Sequence, residues 1–309
     1  MIAPADPATI ALLGFGEAGT ALARGLVTES GWRDAAPGRR LVSVDVAAGQ
    51  GRRGTAMAER ATQLGVELHR DYGDALAAAD LVFSVVTGSA ADAAADAARA
   101  AMKRGALYLD LNTITRSQTA EIAGRVESSG VSYVDVGVVG VFYAVGYRAP
   151  MLLAGPRAPE AEAWMTPLGF AARAMSERPG DASAVKMLRS ILMKGIEALS
   201  VECLVAAREQ DLLEEVLDCV GDVDRIPFRD FLTRIVTTHL VHVERRLEEV
   251  EKVNDNLRET GIEPLMSAAT LRSHRRTLDA GVVPEDGVVP ELDAALATLA
   301  EKVVKVARA

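Results

Sequence analysis

A doubly wound α/β domain joined to an all-α domain is the architecture this sequence predicts. Three observations carry that reading. Short apolar runs alternate with helix-periodic stretches through the first half. A glycine-rich turn separates the first apolar run from the first helix. Strand signals then stop near residue 161, while helical periodicity continues.

The apolar runs at 9–13, 41–44, 81–86, 106–111 and 133–136 read as buried strands of a parallel sheet, because strands covered on both faces lose polar alternation. A further strand is expected at 151–154. Helices are expected at 16–28, 56–64, 90–103 and 118–128. Residues 30–40, with Gly31, Pro37 and Gly38, form a loop that is long for its place. In the second half, 181–208 contains no proline and one glycine, Gly195, and 228–257, 264–280 and 290–307 complete the helical set. Gly261, Gly281, Pro284 and Pro290 break it. Domains of 1–160 and 161–309 follow.

Of 309 residues, 49% are hydrophobic and 25% charged, so global disorder is excluded. The net charge of −9 lacks the basic footprint of a nucleic-acid binder. No apolar run is long enough to cross a bilayer, and no basic segment or cleavage site precedes the first strand, so a cytoplasmic location is expected. Two cysteines, Cys203 and Cys219, make neither a disulfide scaffold nor a zinc site, and they are expected to pack in apolar helical settings. No metal-ligand spacing and no Ser–His–Asp arrangement is visible. His69, His239 and His274 read as structural or surface residues.

Gly14-Phe15-Gly16-Glu17-Ala18-Gly19 matches G-x-G-x-x-G between a strand and a helix, the context that gives this pattern meaning. Gly14 permits the tight turn, Gly16 the approach of a pyrophosphate, and Gly19 close helix–strand packing, with free N–H groups at the helix start facing the anion. An acid at Glu17 is tolerable there only if it points to solvent. Asp45, at the end of the second strand, suits the adenosine ribose hydroxyls and would repel a 2′-phosphate, which favours NAD; Arg52 and Arg53 speak for NADP. Val86, Thr87 and Gly88, where the run at 81–86 ends, are expected to contact the cofactor as well.

On the helix at 181–208, Met187, Leu188, Ile191, Leu192, Ile196 and Leu199 predict a largely buried element. Lys186, Ser190, Met193 and Glu197 fall on one narrow face, flanked by Arg189 and Lys194. Such a stripe either lines a cleft or is a snorkelling lysine paired with an acid such as Glu197.

Together these residues resemble the β-hydroxyacid dehydrogenase superfamily, comprising 3-hydroxyisobutyrate dehydrogenase and 6-phosphogluconate dehydrogenase-like proteins. Four places match in order: the glycine-rich turn; Asp110-Leu111-Asn112-Thr113, similar to the family's D-x-S-T bordering the nicotinamide; Asp135-Val136-Gly137-Val138-Val139-Gly140, at the substrate-binding loop; and Gly180 followed by Lys186, with Glu202 at the family's later glutamate. The starting G-F-G-E-A, then K-M-L-R-S and His242-x-x-Arg245-Arg246, are most similar to a branch whose C-terminal domain is catalogued as one of unknown function, phosphogluconate-dehydrogenase-like.

The resemblance implies a Rossmann-type NAD(P)-binding domain, an all-α substrate and dimerisation domain, and a homodimer. It implies reversible hydride transfer on a small anionic hydroxy acid, with Lys186 as general acid and base and Asn112 holding a substrate oxygen. If the hydroxyl is β to a carboxylate, loss of CO₂ from the keto product is open. Departures are concentrated in the substrate shell: Arg189-Ser190 replaces an Asn pair, Val139 a serine, Val141 a glycine, and Asn112 the serine of D-x-S-T. Arg245 or Arg246, beside His242, is expected to clamp the substrate anion, against a solvated face rich in Glu244, Glu248, Glu249 and Glu251. Tyr143 and Tyr147 either line the site or shape an irregular connection. An imine or ketone reductase on the same plan and a non-catalytic dinucleotide sensor are the competing readings.

Overall fold

The computed structural model describes residues 7–140, 145–284 and 287–305. The chain divides into two compact units, Met1–Ile191 and Leu192–Ala309. The expected boundary at 160/161 falls short of this division, because a strand absent from the sequence reading, together with the start of the next helix, extends the first unit.

The first unit is built on strands β1 (Thr9–Leu13), β2 (Arg40–Val44), β3 (Glu67–His69), β4 (Leu81–Ser84), β5 (Leu107–Asp110), β6 (Ser132–Val138), β7 (Met151–Ala154) and β8 (Ala172–Ser176). They form one sheet in the order β3-β2-β1-β4-β5-β6-β7-β8. All pairings are parallel except β6 with β7, which is antiparallel. The order reverses between β1 and β4, the switch point at which doubly wound sheets open a crevice. Helices α1 (Glu17–Arg24), α2 (Gly51–Leu64), α3 (Gly73–Ala77), α4 (Ala91–Ala101), α5 (Arg116–Ser128) and α6 (Ala158–Met165) cover the faces. Side chains alternate along each strand, so Ile10, Leu12, Phe83, Leu109 and Val134 pack into one core layer. Ala11, Leu13, Val82, Tyr108 and Tyr133 pack into the other.

The segment expected as a plain loop after α1 carries a wide turn at Gly25–Glu29 and a short 3₁₀ turn at Arg33–Ala35, with Trp32 buried. Tyr147 is largely buried, and it also reaches the wall of a cavity beside the glycine-rich turn. A side chain on Gly25 would lie within 2.3 Å of its ring, and the ring meets Phe170 edge-on at 5.1 Å. Val141 and Tyr143 lie outside the described residues.

Helix α7 (Asp181–Glu209) begins in the first unit. The second unit contains α8 (Leu213–Val220), α9 (Phe228–Glu259), α10 (Met266–Asp279) and α11 (Leu292–Leu299). Leu240, Val282, Ala295 and Val303 form its small core. Glu202 accepts from the backbone N–H groups of Leu265, Met266 and Ser267 at 2.7–2.8 Å, and so caps the start of α10.

Between α9 and α10, the His239 and His274 rings meet edge-to-face at 4.8 Å, and His239 Nε2 lies 3.0 Å from Thr277 Oγ1. Burial pushes His239 down to about 4, with His274 and Arg246 adding to the effect. A histidine depressed in the folded state contributes stability above its unfolded value of about 6.5, and that contribution is lost as pH falls toward 4. The melting temperature should therefore drop across this window, and His239→Gln should flatten the drop in thermal melts followed by circular dichroism.

Candidate active site

The glycine-rich turn leaves β1 and enters α1. Gly14 has φ +94°, and a Cβ on it would stand 2.8 Å from the Val85 carbonyl oxygen, so both the conformation and the space require glycine. A Cβ on Gly19 would stand 2.1 Å from the Gly14 carbonyl oxygen, which fixes how closely α1 packs on the turn. A Cβ on Gly16 would meet nothing within 4 Å, so the turn is open on that side. No side chain caps α1, and its first N–H groups have no intrahelical acceptor, which fits a pyrophosphate. Glu17 is exposed, which removes the conflict between its charge and an anion.

Phe15 contributes only backbone to the turn, because its side chain is fully buried in the core. Its N–H donates to Asp45 Oδ2 at 2.8 Å, and Ala47 N–H donates to Asp45 Oδ1 at 2.9 Å. Asp45 thus ties the end of β2 to the turn. A cavity of about 800 Å³ opens beside it, lined by Gly16, Glu17, Ala18, Thr20, Arg24 and Arg60 among others.

At the neighbouring strand ends, a Cβ on Gly88 would lie 2.5 Å from the Thr113 carbonyl oxygen, so the segments Val86–Thr87–Gly88 and Asn112–Thr113 run in close contact. Asn112 is 3% exposed and donates from Nδ2 to Ser84 Oγ at 2.8 Å. Its Oδ1 is buried without a partner, leaving an acceptor available to a bound group. Lys186 Nζ lies 3.4 Å from the Leu111 carbonyl oxygen, so the amine reaches the same strand edge. Burial pulls Lys186 below the usual lysine range, and the Asp135 and Asp110 carboxylates partly restore it.

Asp135 on β6 places that amine. Its Oδ2 accepts from Gly180 N and Ser183 N, both at 2.9 Å, and its Oδ1 from Ser183 Oγ at 2.6 Å. A Cβ on Gly137 would lie 2.6 Å from the Ala182 carbonyl oxygen, so β6 runs hard against the first turn of α7. Asp181 in that turn accepts from Arg116 Nη2 and Ser176 Oγ, both at 2.6 Å. Lys186 follows Ser183 by three residues, one turn further along the same face.

The other expected residues divide. Val138, Val139 and Gly140 are half-buried at the end of β6, and Val139 N–H donates to the Pro150 carbonyl at 2.9 Å. Arg189 is exposed, and the Ser190 hydroxyl donates to the Lys186 carbonyl at 2.9 Å. Glu197 pairs with Lys194 at 2.7 Å, not with Lys186. In the second unit Arg245 pairs with Glu249 at 2.5 Å, and Arg246 Nη2 donates to Thr238 Oγ1 at 2.9 Å; His242 is half-buried. The expectation that α7 is largely buried fails. Leu188 is 66% exposed and Ile191 72%, and Met187 and Leu199 are exposed as well, because none of the described residues covers that side. Cys203 and Cys219 are free and exposed rather than packed.

Residues 9–158 match the NAD-binding domain of 6-phosphogluconate dehydrogenase, and residues 207–277 match a domain of unknown function, DUF1932. A conserved hypothetical protein from Sinorhizobium meliloti is 31% identical, with 95% of this chain and 96% of that one covered and a TM-score of 0.57. Conserved protein MTH1747, described as structurally similar to 3-hydroxyacid dehydrogenases, is 28% identical over 91% of this chain and 99% of its own, at a TM-score of 0.54. The imine reductase from Myxococcus stipitatus, solved with NADP+, shares the fold at a TM-score of 0.72 with 19% identity, covering 89% and 96%. Among the described residues no helix is long and apolar enough to cross a membrane. With a Rossmann-like first unit, a helical second one and both halves matched, the chain belongs to the 6-phosphogluconate dehydrogenase-like NAD-binding proteins that carry a DUF1932 domain.

Proposed function

We propose that the protein is an NAD(P)-dependent oxidoreductase that interconverts a small hydroxy acid and its keto form, with Lys186 exchanging the hydroxyl proton. The observation that carries this reading is the amine itself, buried enough to lose proton affinity and 3.4 Å from the carbonyl of Leu111, next to Asn112 at the carboxyl edge of the sheet. The bound nicotinamide supplies hydride acceptance and donation. Lys186 takes the proton in oxidation and returns it in reduction. Asn112 Oδ1, unpartnered and buried, accepts from a donor on the bound ligand. Arg189, exposed one turn from Lys186, supplies a counter-charge for the substrate carboxylate. Asp45 favours NAD, since a carboxylate at the end of β2 repels a 2′-phosphate. A second copy of the chain covers Leu188, Ile191 and Val201, the apolar residues that α7 leaves exposed.

Screening β-hydroxy acids with NAD and NADP, and cyclic imines with the reduced forms, tests the reading by nicotinamide absorbance. Turnover of at least one hydroxy acid is expected, faster with NAD. Turnover of imines alone would make the protein an imine reductase, and tight NADH binding without any turnover would make it a sensor.

A further inference from the structure

The sheet sets two acids side by side. In the pairing of β4, β5 and β6, Ser84 stands opposite Asp110 and Asp110 opposite Asp135. Directly opposed residues point to the same face, with strands about 4.8 Å apart. Asp110 is 2% exposed and Asp135 1%. Two like charges so placed and so dry oppose one another's ionisation.

Their donors are unequal. Asp135 holds three hydrogen bonds, two of them from backbone at the start of a 29-residue helix, whose positive end favours a carboxylate. Asp110 holds the Asn112 N–H on Oδ1 and the Tyr133 hydroxyl on Oδ2, each at 2.9 Å. The Leu111 carbonyl that meets Lys186 Nζ belongs to the residue after Asp110. The charged groups that act on the amine are Asp135 from β6 and Asp110 from β5, and the Tyr133 hydroxyl from β6 donates to Asp110; Arg189, three residues on in the same helix, is exposed, and Arg116 from α5 is bound to Asp181.

We propose that Asp110, held by the Tyr133 hydroxyl beside Asp135, is a positioning residue that, together with Asp135, supports the charged Lys186 amine across the Leu111 carbonyl. This rests on the reading of Lys186 as the proton-exchanging amine. Burial pushes Asp110 up to about 6, and the charge of Asp135 adds to the rise. Above that pH Asp110 is charged and supports the ammonium; below it Asp110 is neutral and the support is withdrawn.

The test is ¹³C NMR of the full-length protein after reductive dimethylation of its lysines, with the Lys186 signal assigned by its absence in Lys186→Arg. The wild-type signal should show a secondary inflection near pH 6, from Asp110, apart from its own titration. Asp110→Asn should abolish the inflection and lower the Lys186 titration by about one pH unit or more. Tyr133→Phe should move the inflection upward, because the charged carboxylate loses a donor. With a turned-over substrate, the limb of the pH–rate profile that reports Lys186 should shift down equally in Asp110→Asn. A Lys186 signal with no inflection in the wild type, or unmoved in a folded Asp110→Asn, overturns the proposal. The NMR readout needs no turnover, so a failed substrate screen would remove the proposed reaction and leave this coupling standing.

Discussion

Replacing Lys186 with alanine should lower turnover by about 10²–10⁴-fold, the range expected when a positioned acid–base group is removed. Nicotinamide dinucleotide affinity should stay near that of the wild type. The two outcomes separate because the amine reaches the carbonyl that follows β5, whereas the turn at Gly14–Gly19, proposed to hold the dinucleotide, follows β1. Deleting the side chain removes the hydrogen bond to the Leu111 carbonyl, and the helix keeps its anchor through Asp135 to Gly180 and Ser183. Steady-state rates on the substrate found by screening, together with NADH fluorescence titration, check both parts. Full residual activity would remove the general acid–base role.

Gly19→Ala should be the most damaging change in the cofactor turn. The added methyl carbon would lie 2.1 Å from the Gly14 carbonyl oxygen, far inside any tolerated contact, and the obstacle is backbone, which no rotamer change relieves. Helix α1 must move away from the turn, carrying its uncapped N–H groups with it. Dinucleotide affinity should fall by a factor on the order of 10² or more, and stability by about 1–3 kcal/mol, as for overpacking in a close-packed core. Gly16→Ala is the control, since its Cβ meets open space. It should leave the melting temperature nearly unchanged while weakening the dinucleotide, because the methyl group fills the open side of the turn. Equal melting temperatures for Gly19→Ala and the wild type would contradict this account.

Much of the fold was legible because local pattern and tertiary role agree. The runs at 9–13 and 151–154 became β1 and β7 at their expected bounds, since each lies deep in the sheet and is apolar on both faces. The strands that went unread are at the sheet's edges. β3 spans three residues, Glu67–His69, and β8 carries Arg173 on a half-covered run, so neither shows an apolar stretch. The turn at Gly14–Gly19 could be read because its constraints lie within six residues. The acids around Lys186 could not be read as a group. Asp110, Tyr133 and Asp135 meet only through strand register, and register depends on partners tens of residues away. Helix α7 was misjudged for a related reason: its composition records that apolar faces exist, not whether the same chain covers them.

The grip of Asp135 on Gly180 and Ser183 also bears on how the first half can be made as a separate fragment. Truncation after the last strand would strip a buried carboxylate of its three donors and leave it facing a second acid. Fragments ending near residue 160 or 176 should be poorly expressed and prone to aggregate, whereas one carried through Ile191 retains the complete acid-binding turn.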